Sequence, residues 1–168
     1  RIKNVLIDTT GWGYESIPDG WIWQDIGNYY GAGAHKFNYR ENQYDIALRS
    51  GKTIGDTVSI VSSQIGNERW LESKLSSAKK ESGDNAYVYL PDYPARKFEI
   101  RGTIPVNEDS FSISASIKNP ELQFFYVIGY RLQEEKQFDI EHGGLALFGN
   151  ALLRDGKYNV LYTHYSPS

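Results

Sequence analysis

A chain of 168 residues, 40% of them hydrophobic, is long enough for one domain with its own core and cramped for two. Its 18 basic and 21 acidic residues give a net charge of −3 with the signs interspersed, which argues against nucleic acid as a partner. Cysteine is absent, which excludes disulfides, thiol nucleophiles and thiolate metal sites, and no run approaches the roughly 18 apolar residues of a membrane span.

The absence of methionine, even at the first position, suggests a single domain over residues 1–168 taken from a longer polypeptide. Aromatic residues make up 14%, with 13 Tyr and 4 Trp against 7 Phe. Tyr and Trp carry an apolar body and a polar tip, so they suit half-exposed binding surfaces, although rings also pack well on pleated sheets.

Residues 1–8 read as a strand, with Val5, Leu6 and Ile7 as its apolar run. The phrase is faintly similar to a rung of the β-helices in phage tailspikes. Residues 11–35 alternate glycines with Trp12, Tyr14, Trp21, Trp23, Tyr29 and Tyr30, a pattern that lets the backbone fold tightly and present rings sideways. Within it, residues 17–33 (Ile17-Pro18-Asp19-Gly20-Trp21-Ile22-Trp23 through Gly31-Ala32-Gly33) resemble the opening of concanavalin A-like modules that accompany glycan-active enzymes. Trp21 and Trp23, as i and i+2, would share one strand face and either plug the end of a sandwich or serve as stacking platforms.

Strands are expected at 36–39, 44–49 and 57–62, with polar turns between them. The one helix is expected over 68–80, with Trp70, Leu71, Leu75 and Ala78 on one side, Asn67 as cap and Gly83 beyond the end. Residues 86–90 and 96–101 alternate as strands, the second with Phe98 and Ile100 inward and Lys97, Glu99 and Arg101 outward. Tyr87, Tyr89 and Tyr93 form a second aromatic group that could rim a groove.

Residues 110–130 predict a hairpin. Phe111, Ile113, Ala115 and Ile117 alternate with serines, Asn119-Pro120 would turn the chain, and 122–130 would return antiparallel. The reverse face of that hairpin, with Gln123, Phe125, Ser112, Ser114 and Ser116, would floor a groove. Further strands are expected at 136–141, 145–154 and 157–165, the last two joined at Asp155-Gly156. Together these elements predict an all-β, two-sheet antiparallel β-sandwich of jelly-roll, concanavalin A-like type with one short helix.

Chemistry is sparse. Asp139 and Glu141 share a strand face, about 7 Å apart by strand rise, with His142 adjacent; they are weak candidates for acid/base work, since Phe138 and Ile140 on the other face make a plain solvated strand equally good. His35, His142 and His164 lack zinc-ligand spacing. The fold resemblance implies a structural calcium ion, with Asp8, Asp19, Asp25 and Asp139 as unranked ligands, and no other cofactor. An enzyme is therefore the weaker expectation.

The expected function is non-catalytic recognition of a glycan or polysaccharide by an extracellular, cell-surface or virion-associated protein. Its binding residues would be Trp12, Trp21, Trp23, Gln24, Asp25, Asn28, Tyr29, Tyr30, Gln123 and Phe125, where rings stack on sugar C–H faces and amides and carboxylates hold hydroxyls. The alternatives are a structural module of a homotrimeric tailspike or adhesin, and a polysaccharide lyase or hydrolase.

Overall fold

The computed structural model describes residues 4–8, 16–91, 97–135 and 144–148, the first and last of these as backbone alone. In chain order its elements are β1 (Asn4–Asp8), the single turn α1 (Trp23–Ile26), β2 (Gln43–Arg49), β3 (Ser59–Ser63), β4 (Leu71–Ala78), β5 (Asn85–Tyr89), β6 (Phe98–Pro105), β7 (Phe111–Ser116), α2 (Pro120–Glu134) and β8 (Gly144–Phe148).

Two three-stranded sheets, ordered β3-β2-β7 and β4-β6-β5, hold the core between them. Period-two alternation makes this possible. Tyr44, Ile46 and Leu48 point inward from β2 and meet Ile113 and Ala115 from β7. Leu71 and Leu75 of β4, Val88 of β5 and Ile100 and Ile104 of β6 face them from the second sheet. Ile46, Leu48, Ile100 and Ile104 are fully buried, and each contributes about 1.5–3 kcal/mol by leaving water. The first sheet is antiparallel; in the second, β4 runs parallel to β6 and β5 antiparallel to it. A third, two-stranded sheet pairs β1 with β8 in parallel, from Asn4 beside Gly144 to Asp8 beside Phe148, and α2 packs near it.

Backbone at residues 26–28 stitches the two larger sheets together along one side. The Ser116 N–H donates to the Gly27 carbonyl at 3.0 Å and the Ser116 hydroxyl to the Ile26 carbonyl at 2.6 Å, which holds β7. The Asn28 carboxamide oxygen accepts the Val88 N–H at 2.8 Å, which holds β5. Gly27 is required for this approach, because a Cβ there would lie 1.8 Å from the Val88 carbonyl oxygen. On the opposite side, residues 55–58 bridge to β4, with Val58 N–H to Leu75 O at 3.3 Å and Ser77 N–H to Asp56 O at 2.8 Å.

These facts correct the sandwich expectation. A jelly roll is an antiparallel double sheet, whereas the described residues form two parallel pairings, three small sheets and a 15-residue helix, a mixed α/β architecture. The hairpin over 110–130 is half right: β7 forms, but residues 120–134 are α2. Asn119 caps that helix by accepting the Leu122 N–H at 2.8 Å, and Pro120 occupies its first turn, where its missing N–H costs nothing. The helix expected over 68–80 is instead a 3-10 turn followed by β4, since the alternation of Leu71, Leu75 and Ser77 places them on one sheet face. Residues 36–39 form no strand, and they lead into a left-handed turn at Arg40, Glu41 and Asn42. The strands expected at 136–141 and 157–165, and the Asp155-Gly156 hairpin, lie outside the described residues.

Candidate functional site

The face of the second sheet that points away from the core carries most of the polar and aromatic chemistry. Register places Tyr89 beside Glu99 and Glu99 beside Glu72, then Tyr87 beside Arg101 and Arg101 beside Lys74. α1 adds a ring from outside the sheet. The Trp23 indole donates its N–H to the Leu90 carbonyl at 3.0 Å and meets the Tyr89 ring edge-on, with centroids 5.1 Å apart.

Arg101 lies over both rings, its guanidinium carbon 4.6 Å from the Tyr89 centroid and 5.4 Å from that of Trp23. Such stacking is electrostatic, since the ring face is negative. Glu99 fixes the group from the side: one carboxylate oxygen accepts from Nε at 2.7 Å and forms an ion pair with Nη2 at 2.6 Å. A hollow of about 50 Å³ opens between Trp23, Tyr89, Leu90, Pro91, Lys97, Glu99 and Arg101. Beside it Lys74 and Glu72 form an exposed ion pair; their mutual hydrogen bond and charge lower the Glu72 carboxyl and raise the Lys74 ammonium from their ordinary values. Around α1, partial burial followed by the charge of Asp25 and the neighbouring Tyr87, Tyr29 and Tyr89 raises the Tyr30 phenol.

The residues expected to bind glycan are only partly brought together. Trp21, Trp23, Tyr29 and Tyr30 are exposed, 38–56%, as ring-presenting loops would have them. Trp21 and Trp23 share no strand face, because Trp23 opens α1. Asn28 is buried and structural: besides holding β5, its amide donates to the Gln24 carbonyl at 2.5 Å. Asp25 serves through its backbone carbonyl, which accepts the Asn28 N–H at 3.0 Å.

The expected groove floor does not exist. Phe125 is buried at 3% exposure on α2, Gln123 is on the same helix, and Ser114 and Ser116 spend their hydroxyls on the Asp45 carboxylate and the Ile26 carbonyl, both at 2.6 Å. Trp12, Asp139, Glu141 and His142 lie outside the described residues. As to calcium, Asp19 is in an exposed turn, and no group of three or more His, Cys, Asp or Glu side chains among the described residues could hold a metal. Sequence reasoning placed Lys97, Glu99 and Arg101 outward but could not bring them to Trp23, 78 positions from Arg101 in the numbering and joined to it only by the fold.

One arrangement that activates a serine nucleophile is a Ser-x-x-Lys with Ser-x-Asn and Lys-Thr-Gly partners. The segment Ser76-Ser77-Ala78-Lys79-Lys80 spells Ser-x-x-Lys twice, but neither Ser-x-Asn nor Lys-Thr-Gly occurs in the 168 residues. Both serines sit on β4, where i and i+3 side chains point to opposite faces. Ser77 is buried at 2%, and its oxygen accepts the Gly51 N–H at 3.0 Å. Ser77 is structural, and Ser76, half-buried on the opposite face, has neither partner motif in the 168 residues.

Comparison with known proteins decides the family. The model of the D-Ala-D-Ala carboxypeptidase 3 (S13) family matches residues 1–139. The chain belongs to the D-Ala-D-Ala carboxypeptidase 3 (S13) family. A crystal structure of penicillin binding protein 4 (dacB) from Haemophilus influenzae matches it with a TM-score of 0.59 and 16% identity, over 86% of this chain and 31% of that one. The same protein complexed with a β-lactam matches with a TM-score of 0.45 and 14% identity, over 67% of this chain and 25% of that one. No curated protein matches. This S13 chain therefore spans about a third of the solved structure it resembles.

Membership in the S13 family overturns the reading as a carbohydrate-recognition module, along with its concanavalin A-like and tailspike resemblances. Rings on short loops are common to both kinds of surface, and composition alone does not separate them. The glycan partner and the homotrimer fall with that reading. The expected place outside the cytoplasm stands in the coarser form of the cell envelope, without a virion. Among the described residues no helix is long and apolar enough to cross a membrane.

Proposed function

We propose that this chain is a part of a D-Ala-D-Ala carboxypeptidase that trims the terminal D-Ala from peptidoglycan stem peptides in the cell envelope, and that it supplies framework and substrate-facing surface rather than the nucleophile. The family match across residues 1–139 carries this reading. The missing Ser-x-Asn and Lys-Thr-Gly and the burial of Ser77 on a strand support the division of labour. Acyl transfer needs an exposed serine beside its base and an oxyanion hole. Nothing on β4 offers that, so the acyl-forming serine belongs to another stretch of the full-length protein.

The test is release of D-Ala by the full-length protein from a peptide ending in D-Ala-D-Ala, measured against the same peptide ending in L-Ala-L-Ala. Stereospecific release supports the reading. Absence of release from the D-Ala-D-Ala peptide overturns it.

A further inference from the structure

Residues 18–21 form an exposed turn that leads into α1. The Trp21 N–H reaches the Pro18 carbonyl only at 3.5 Å, the outer limit of a hydrogen bond. Gly20, third in the turn, takes φ +86°, and a Cβ placed on it would meet nothing within 4 Å. Among the described residues neither the Asp19 carboxylate nor the Gly20 N–H has a hydrogen-bond or ion-pair partner. An acyl carbon and an amide nitrogen are thus tethered by the chain, open to water and engaged with nothing else. Their union closes a five-membered ring, the kind of intramolecular approach that proximity favours strongly.

The other aspartates with described side chains are held back. Asp45 accepts the Ser114 hydroxyl at 2.6 Å, Asp56 the Thr53 N–H at 2.9 Å and Asp84 the Ala86 N–H at 2.8 Å. Asp25 lies within α1. Asp109 has no such bond, but the residue after it is Ser110, whose Cβ crowds the attacking nitrogen.

We propose that Asp19-Gly20 is a modification site at which the aspartate converts to isoaspartate. The Gly20 nitrogen bonds to the Asp19 Cγ, and the carboxyl hydroxyl leaves with the nitrogen's proton as water. Water then adds at the Asp19 main-chain carbonyl carbon and breaks its bond to the Gly20 nitrogen. That carbon becomes the free carboxyl group, and the main chain now runs through Cβ and Cγ. One water leaves and one returns, so mass and oxidation state are unchanged. The chain gains a methylene in the turn, ahead of the first α1 hydrogen bond, from the Asp25 N–H to the Ile22 carbonyl, and clear of the clamp at residues 26–28. This chemistry is independent of the function proposed above.

The full-length protein is aged in neutral buffer and digested with trypsin, and isoaspartate is quantified at each position by electron-transfer fragmentation. The free peptide of residues 16–24 sets the unfolded rate. Conversion at Asp19 should run within about five-fold of the peptide, because so loosely held a turn opens at little cost. Asp45 and Asp56 should lag behind Asp19. Gly20→Ala should slow conversion about ten-fold by placing a methyl beside the nitrogen. Asp19→Glu keeps the charge, needs a six-membered ring instead, and should abolish isoaspartate in the tryptic peptide of residues 4–36. A native rate further below that of the peptide, conversion at Asp45 or Asp56 that keeps pace with Asp19, or isoaspartate that persists in Asp19→Glu, overturns the proposal.

Discussion

Asn28 uses both ends of its carboxamide, accepting from Val88 N–H and donating to the Gln24 carbonyl, in a place almost closed to water. Replacing it with Ala leaves the Val88 N–H without a partner, which costs about 1–3 kcal/mol. Thermal unfolding of Asn28→Ala checks this, and a variant as stable as the parent would show that residues 26–28 do not clamp the sheets. Gly27→Ala drives a methyl into the Val88 carbonyl and should cost about 1–3 kcal/mol by the same measurement. Tyr44 gives the pH dependence. Burial raises its phenol above the ordinary value, against the opposing effect of its hydrogen bond with Asn67 at 3.2 Å. The unfolded tyrosine ionises first, near pH 10. Tyr44 thus favours the folded state fully below that pH, and the contribution is lost as pH rises through the folded value. Stability should fall more steeply above pH 10 in the parent than in Tyr44→Phe, as followed by denaturant midpoints.

At the scale of elements, the strand signal was legible in β2, β6 and β7 and was missed in β4. The alternation expected over 44–49, 96–101 and 111–117 survives in β2, the first half of β6 and β7 because inward residues such as Ile46, Leu48, Ile100 and Ile113 fix the register. α2 was missed because Asn-Pro is both a turn signal and a helix start, and the apolar residues after it fit either period. Asn119→Ala, which deletes the cap on Leu122, should cost about 1 kcal/mol, while Asn119→Asp should keep most of it. Denaturant unfolding distinguishes these; equal loss in both would mean that the cap does not hold the helix. β4 was missed for the converse reason. Trp70, Leu71, Leu75 and Ala78 can be drawn on a helical face, and only pairing with β6 makes the strand the better solution. The candidate site was legible in its parts. Trp23 was singled out and Arg101 was placed outward, yet their meeting depends on α1 packing against β5, which no local pattern encodes.

For the whole molecule, ring-rich loops pointed toward sugar, and the family match overturned that reading. Aromatic surface reports that something is contacted and carries little about what. Charge carries more, and on this surface Lys97, Glu99 and Arg101 gather around one hollow beside Trp23 and Tyr89. The proposed function stands on one division: this S13 chain holds and presents, and a serine elsewhere in the full-length protein reacts. Labelled penicillin, which would acylate that nucleophile as D-Ala-D-Ala does, followed by peptide mapping, tests the division directly. The account predicts one labelled serine in the full-length protein, outside these 168 residues. Label on Ser76 or Ser77, or no acylation at all, would contradict it.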